Sequence, residues 1–473
     1  MSDERTLRFT IDGELAEGHA GDTLAAALLR SGVTTFTRSI KYHRPRGPFC
    51  FTGSCGQCLV TVDGVPSLPA CQVPLEDGMK CERQNAPLGA GNDLLRATDF
   101  LFSSGLDHHH LMIQSRLLGR VALEVARRLA GLGELPLEVA PPLHGELRTA
   151  RIVVVGAGPA GIAAARAAGR SALLLERDDR PGGDALLGVD PAGPDAAWAA
   201  REAAALECEV LTGAEVVGLY RNETKLPGNA LLAVRQGGRM LAIVAGQVVV
   251  ATGGVSQPMP FPGVDRPGVY AARGLLRLHA QSGVRVGRRV AVAGEGRELV
   301  DCARALQRAG YELARVVETA APSAPPDKSD LPFVHAQVVR ALGDPVRALD
   351  LLPEERVRCD AIALAWPRAP LHDLASSCGA KAQFSAALNG FPLEVDERGR
   401  TTVSWIFAAG RVCGKGGADA AQSGTIAGTA ALDALAHAAP HDEAARAGGA
   451  AAQASAYAAQ APAAAAPSGK AAP

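Results

Sequence analysis

The stretch RIVVVGAGPAGIAAARAA, residues 151–168, sets a run of buried-strand residues directly before a glycine loop and an alanine-rich helix. Ile152 to Val155 suit a strand covered on both faces. Gly156, Gly158 and Gly161 follow in the G-x-G-x-x-G register, with Pro159 and Ala160 between them. Such glycines allow a tight turn and a close backbone approach to a pyrophosphate, which then sits at the positive end of the helix. The next strand, SALLLE, ends at Glu176, placed to accept hydrogen bonds from a ribose, and Arg177 comes next. Strand, loop, helix and acid in this order predict a dinucleotide-binding fold.

The same order returns downstream. RRVAVAG leads into GEGRELVDCARALQRAG and then ELARVVE, with Gly294, Gly296 and Glu318 in the corresponding places. A strand-end acid suits an unphosphorylated ribose, so this second site favours NAD over NADP if it is used. Leu299 stands where a small residue would let helix and strand approach, and Glu295 and Glu298 add negative charge beside a phosphate site. These residues leave open a fold retained without its nucleotide.

Around both loops, short Val/Leu-rich strands alternate with Ala-rich helices to about residue 438, the pattern of α/β domains. The predicted organisation is a small domain over residues 1–92 and a helical bridging segment over 93–148. A first dinucleotide domain would span 149–270 and 375–438, with the second inserted at 271–374. An Ala/Pro-rich tail over 439–473 has almost nothing to bury and reads as disordered.

Within the small domain, LRFTIDGE (7–14) and LVTVD (59–63) alternate as half-buried strands, and DTLAAALLRSGV (22–33) has helical spacing. CFTGSCGQCLVTVDGVPSLPAC, residues 50–71, places Cys50, Cys55, Cys58 and Cys71 with gaps of four, two and twelve residues. A C-x4-C-x2-C turn supplies three thiolates, and a fourth from beyond the next strand completes the ligand set of a plant-type 2Fe-2S cluster. Gly53 and Gly56 let the turn fold back so that N–H groups face the sulfurs. A zinc ribbon would show two CxxC pairs, and a redox dithiol would need neither Cys50 nor Cys71. The expected architecture is therefore a β-grasp ferredoxin-like domain joined to tandem Rossmann-like folds. The other six cysteines, Cys81, Cys208, Cys302, Cys359, Cys378 and Cys413, are scattered singly and read as small core residues.

Lys and Arg number 48 against 49 Asp and Glu, so nothing in the charge favours nucleic acid or an anionic membrane. MSDERTLRF lacks a signal peptide's apolar core, and no apolar run of about 18 residues occurs, so the expectation is a cytoplasmic protein without a membrane span. His108, His109 and His110 would point in different directions on a helix and read as a solvated helix start. KYHRPRGPFC, running into the cysteine turn, is either a solvated basic loop or a face for an electron-transfer partner. There is no second CxxC beside the first glycine loop, which argues against disulfide reduction.

Other segments favour a flavin in the first fold. RPGG ends at Gly183, VVVATGG contains Thr252 and Gly253, and PFPG follows. Together they resemble the FAD domain of two-dinucleotide flavoproteins, which close on a "FAAGD" segment and a glycine-containing helix. Here that end reads IFAAGRVCGKGGADAAQSGTIAG, with Gly410 in place and Arg411 where the family has its ribityl-binding carboxylate. Arginine cannot accept a hydrogen bond, and a bond to a charged partner contributes roughly 1.5–3 kcal/mol. Arg411 could reach the pyrophosphate instead.

RSIKYHRPRGPFC, GSCGQCLVTVDGVPSLPAC, RLAGLG, PFPGVDRPGVYAARG and the GEGREL loop, taken with these segments, resemble the alpha-type subunits of heteromeric amine and imino acid dehydrogenases. That family includes the alpha chain of sarcosine oxidase, the A-type chain of opine oxidase, hydroxyproline dehydrogenase and hydrogen cyanide synthase subunits. The resemblance implies an electron-transfer chain carrying 2Fe-2S and FAD, and a separate beta-type flavoprotein that oxidises a secondary amine, imino acid or opine-like substrate. It covers almost the whole chain but not the folate-binding half of the sarcosine oxidase alpha chain. Two other readings are a self-sufficient NADH-dependent reductase and a cluster-bearing scaffold that has lost its flavin. No base suited to deprotonating a substrate is evident, so no catalytic residue is assigned.

Overall fold

In the computed structural model, residues 5–39, 43–85, 143–319, 330–353 and 355–437 are described. Most of the expected bridging segment, His108–His110 and the Ala/Pro-rich tail lie outside them.

Thr6–Ile11 starts a five-stranded sheet. Its strand order is Glu14–His19, Thr6–Ile11, Lys80–Arg83, Leu59–Val62, Val65–Pro69. The first two pair antiparallel and Thr6–Ile11 pairs parallel with Lys80–Arg83. The helix Leu24–Arg30 starts where Thr23 Oγ1 accepts from Ala26 N at 3.3 Å, and its Leu24, Ala25, Ala26, Ala27 and Leu28 are fully buried. Apolar residues on every side let this short helix pack against the sheet in one core, giving the expected β-grasp layer.

The strand His144–Val155 is longer than the run that announced it, beginning inside the stretch expected to be helical. It pairs along its whole length with Arg239–Val250, and that ladder, which periodicity in the bridging segment did not register, extends it toward the N-terminus. Ala172–Leu175, Glu209–Leu211 and Ile406–Ala408 complete the parallel part of this sheet. Ala230–Gln236 and Ala214–Arg221 add an antiparallel flank. The helices Pro159–Ala168 and Asp419–His437 cross on one face and cover Ile152, Val154 and Val249.

A second sheet, all parallel, has the order Val269–Ala271, Ala361–Ala365, Arg289–Gly294, Glu312–Glu318, Phe333–His335. Ala272–Ser282 and Gly296–Arg308 are its helices. Leu299, read as an obstacle, is fully buried in this core. The two folds meet where Gly254–Val255 pairs with Ala369–Pro370. Cys81, Cys302 and Cys359 are buried, and burial pushes the Cys81 thiol up to about 12 and Cys359 to about 11, which suits inert core thiols. Cys208, Cys378 and Cys413 are partly buried. Among the described residues no helix is long and apolar enough to cross a membrane.

Candidate redox site

The first glycine loop turns at Gly156, φ +97°, whose N–H donates to Leu175 O at 2.8 Å. Gly158 caps the helix and Pro159 opens its first turn, where a missing N–H costs nothing. A Cβ on Gly161 would lie 1.7 Å from Gly156 O, so the third glycine of the motif is required by close packing. Gly182 N donates to Ala157 O at 2.8 Å, which folds the RPGG segment, Gly183 included, onto the loop.

Glu176 sits at the strand end as expected. Its Oε2 accepts from Ala157 N at 2.6 Å and its Oε1 from Asp178 N at 2.9 Å, so the loop and the acid are fixed to each other, with lone pairs left for a ribose. Burial raises its carboxyl, and the two N–H groups work against that. Thr252 Oγ1 donates to Leu371 O at 2.7 Å. Gly410 N donates to Ser423 Oγ at 3.0 Å, fixing the closing segment on its helix beside Ala160.

Gly156, Gly158, Glu176, Gly183, Thr252 and Gly410 line one cavity of about 1400 Å3, and Cys50, Thr52 and Ser54 of the cysteine turn open onto it. Gly296 and Glu298 of the second fold also reach it. Cys50 is the one cysteine among its described lining residues, so no dithiol faces the flavin position.

Cys50, Cys58 and Cys71 are buried, and Cys55 is partly exposed. Cys50 is held low because the Cys55 and Cys71 thiols donate to it; Cys71, donating to both Cys50 and Cys58, is pushed well up. Four sulfurs this close cannot all ionise without a cation among them, and burial sharpens the conflict. A two-iron cluster takes its four thiolates two to each iron, and three sulfurs from one turn with a fourth from beyond the next strand fit that ligand set. Gly53 and Gly56 both have positive φ, +74° and +63°, which allows the turn. Thr52 N faces Cys50 Sγ at 3.4 Å.

Arg411 lines the same cavity as the glycine loop. Its guanidinium lies against Gly416, its Nε is buried without a partner, and Arg368 and Arg273 are close enough that burial and then their charges lower its pKa. Glu298 and Asp184 are the opposing carboxylates: Arg273 holds Glu298 at 2.6 and 2.9 Å, and Arg368 pairs with Asp184. Nothing in the sequence linked these five residues, because they come from separate segments. Arg411→Asp is expected to tighten flavin retention by roughly tenfold, since a restored charged acceptor contributes about 1.5 kcal/mol or more. Flavin fluorescence after ultrafiltration measures it; weaker retention would make Arg411 a working ligand.

Burial alone would raise the Glu298 carboxyl, but Arg273 overrides it and brings it down to about 2. Because the folded value lies below the ordinary value of about 4.3, this pair's stabilisation is complete above that pH and is lost as pH falls toward 2. Glu298→Gln is expected to lower stability near pH 7 by about 3 kcal/mol, leaving buried Arg273 only its longer 3.9 Å contact to Asp184, and to flatten the acid limb between about pH 4 and 2 in denaturant titrations.

In the second fold, Glu318 shows 1% side-chain exposure. Its Oε1 accepts from Gly296 N at 3.2 Å, and His335 Nδ1 lies 3.3 Å from its Oε2. The acid expected to meet a ribose is buried, with His335 in contact with it. Gly294 packs on the Ala361–Ala365 strand.

Residues 150–428 match the pyridine nucleotide-disulphide oxidoreductase family. The chain belongs to that family. Residues 4–86 match a 2Fe-2S iron-sulfur cluster binding domain, so the oxidoreductase body carries an iron-sulfur domain at its front. The FAD fold and the cluster domain expected from the motifs are thereby present. The alpha subunit of sarcosine oxidase from Rhizobium meliloti is 31% identical over 419 residues, 81% of this chain and 42% of that protein. The A-type subunit of opine oxidase from Agrobacterium tumefaciens is 28% identical over 59% of this chain and 65% of its own length. The chain thus spans less than half of the first of these relatives and just under two thirds of the second. Among solved structures, L-proline dehydrogenase from P. horikoshii superposes with a TM-score of 0.66, covering 92% of this chain and 74% of that one at 21% identity, a likeness of fold. The homologous oxidoreductases are subunits by name.

Proposed function

We propose that this chain is the FAD- and 2Fe-2S-containing electron-transfer subunit of a heteromeric dehydrogenase or oxidase acting on a secondary amine, imino acid or opine-like substrate. The observation that carries it is the shared cavity: Cys50 and Thr52 line the same space as Gly156, Glu176 and Gly410. The residues that would hold FAD are the Gly156–Gly161 loop, Glu176, Gly183, Thr252, Gly253 and Gly410. Bound there, the flavin supplies conversion between two-electron and one-electron transfer. Cys50, Cys55, Cys58 and Cys71 would hold the cluster. Oxidation of the substrate itself is assigned to a beta-type flavoprotein partner, in keeping with the heteromeric standing of the relatives and with a cavity that offers no dithiol.

The test is the visible spectrum of the anaerobically purified full chain, with iron and flavin assayed on the same sample before and after NADH. The expected result is flavin and two irons per chain, with little bleaching by NADH because Glu318 is buried and does not line the cavity. Rapid bleaching would replace the relay by an NADH-dependent reductase; iron without flavin would leave a scaffold.

A further inference from the structure

The cysteine turn does not merely border the flavin cavity; it is seated on one helix, Ala272–Ser282. Ala271 N, at the start of that helix, donates to Phe49 O at 3.0 Å. The Phe51 ring stacks on Tyr270 with centroids 6.2 Å apart. Phe49 and Tyr270 are each 1% exposed, so the contact is dry. The closest approach falls at Gly274. A Cβ there would lie 2.7 Å from Phe49 O, 3.0 Å from Phe51 Cδ2 and 3.1 Å from Cys50 O. Two of those three atoms are backbone, and one belongs to a residue that would bind the cluster. They cannot swing aside as a flexible side chain could.

The adjacent face of the same helix ties its own fold to the first. Arg273 and Arg277, one turn apart, both line the cavity. Arg273 pairs with Glu298 of the second fold, and Arg277 pairs with Asp178 at 2.7 and 2.8 Å, two residues after the ribose acid Glu176. Arg180 Nη2 adds a bond to Ala280 O at 3.0 Å. One helix of 11 residues therefore fixes the Cys50 backbone on one side and the flavin fold on the other.

We infer that Gly274 is a positioning residue for electron transfer: the missing side chain sets how near the cluster turn lies to the flavin cavity. The inference rests on the proposed relay. In the step it would serve, a reduced flavin would give up its two electrons one at a time, each converting one ferric iron of the oxidised cluster to ferrous. The flavin's protons would go to solvent, and a one-electron acceptor outside the chain would reoxidise the iron after each transfer. A bulkier residue at 274 would lift the turn away from the helix without replacing any of the four cysteines or any residue of the glycine loop.

The test uses the full chain with both cofactors, as wild type, Gly274→Ala and Gly274→Leu. Iron and flavin per chain are assayed, and the rate at which the cluster's visible and paramagnetic signals change after flash reduction of the flavin is followed. Small misplacements of reacting groups cost roughly one to two decades, so Gly274→Leu is expected to slow cluster reduction roughly tenfold or more at full iron and flavin content, with Gly274→Ala between it and wild type. The cluster's potential is expected to stay unchanged, which separates distance from driving force. Wild-type rates in both loaded variants would overturn the inference. If Gly274→Leu does not fold or load, Gly274→Ala decides alone: a slowed rate at full loading supports the inference and an unchanged rate refutes it. Absence of flavin-to-cluster transfer in the wild type would instead refute the relay itself.

Discussion

Cys71→Ser is expected to strip the chain of its iron while leaving flavin bound. Cys71 reaches the site from beyond the strand Leu59–Val62 and is the sulfur that touches both Cys50 and Cys58. Removing it takes the fourth ligand and leaves three thiolates on one tight turn, too few to complete two irons. Metal bound by buried thiolates contributes directly to folding, so the small domain should also lose stability. Iron analysis and the paramagnetic signal of the reduced protein read the first effect; a lowered thermal transition, with the flavin absorption retained, reads the second. Two irons per chain in this variant and in Cys71→Ala would mean that Cys71 is not a ligand, and a donor outside the four cysteines would have to take its place.

Gly161→Val should produce the opposite separation: iron kept, flavin lost. The Cβ of any residue at 161 would collide with Gly156 O at 1.7 Å, so the glycine turn must open or the helix Pro159–Ala168 must shift. That helix is packed between its sheet and the helix Asp419–His437, with Ile162 and Ala164 fully buried, and it cannot move freely. The expected cost is about 3 kcal/mol of stability, in the range of overpacked cores, together with flavin content near zero in the purified protein. Iron should be retained because the cysteine turn is seated on Ala272–Ser282, away from the altered helix. Full flavin content would show that the dinucleotide does not approach this turn.

The amino-acid order alone was enough for the cofactor motifs, because each is a local device. A C-x4-C-x2-C turn, a G-x-G-x-x-G loop after a buried strand, and an acid closing the next strand all lie within short stretches, and backbone geometry makes their spacing obligatory. The same holds for the departure at Arg411, which is visible against its flanking FAAG. The family match over residues 150–428 and the cluster domain over 4–86 agree with those local readings. The strand Glu14–His19 was missed because its buried positions are Ala16 and Gly18, too small to give an apolar alternation. The length of His144–Val155 was missed because its partner strand, Arg239–Val250, is remote in the chain.

Contacts between distant segments could not be read in this way. That Glu318 is buried against His335, that Arg411 sits among Arg368, Arg273 and Glu298, and that Gly274 packs on the Cys50 backbone all depend on how distant segments pack. Periodicity and spacing describe hydrogen bonding and burial along a few turns of chain. Which charge meets which across a cavity follows instead from the packing of whole sheets and helices, and so it emerges only when the chain is folded.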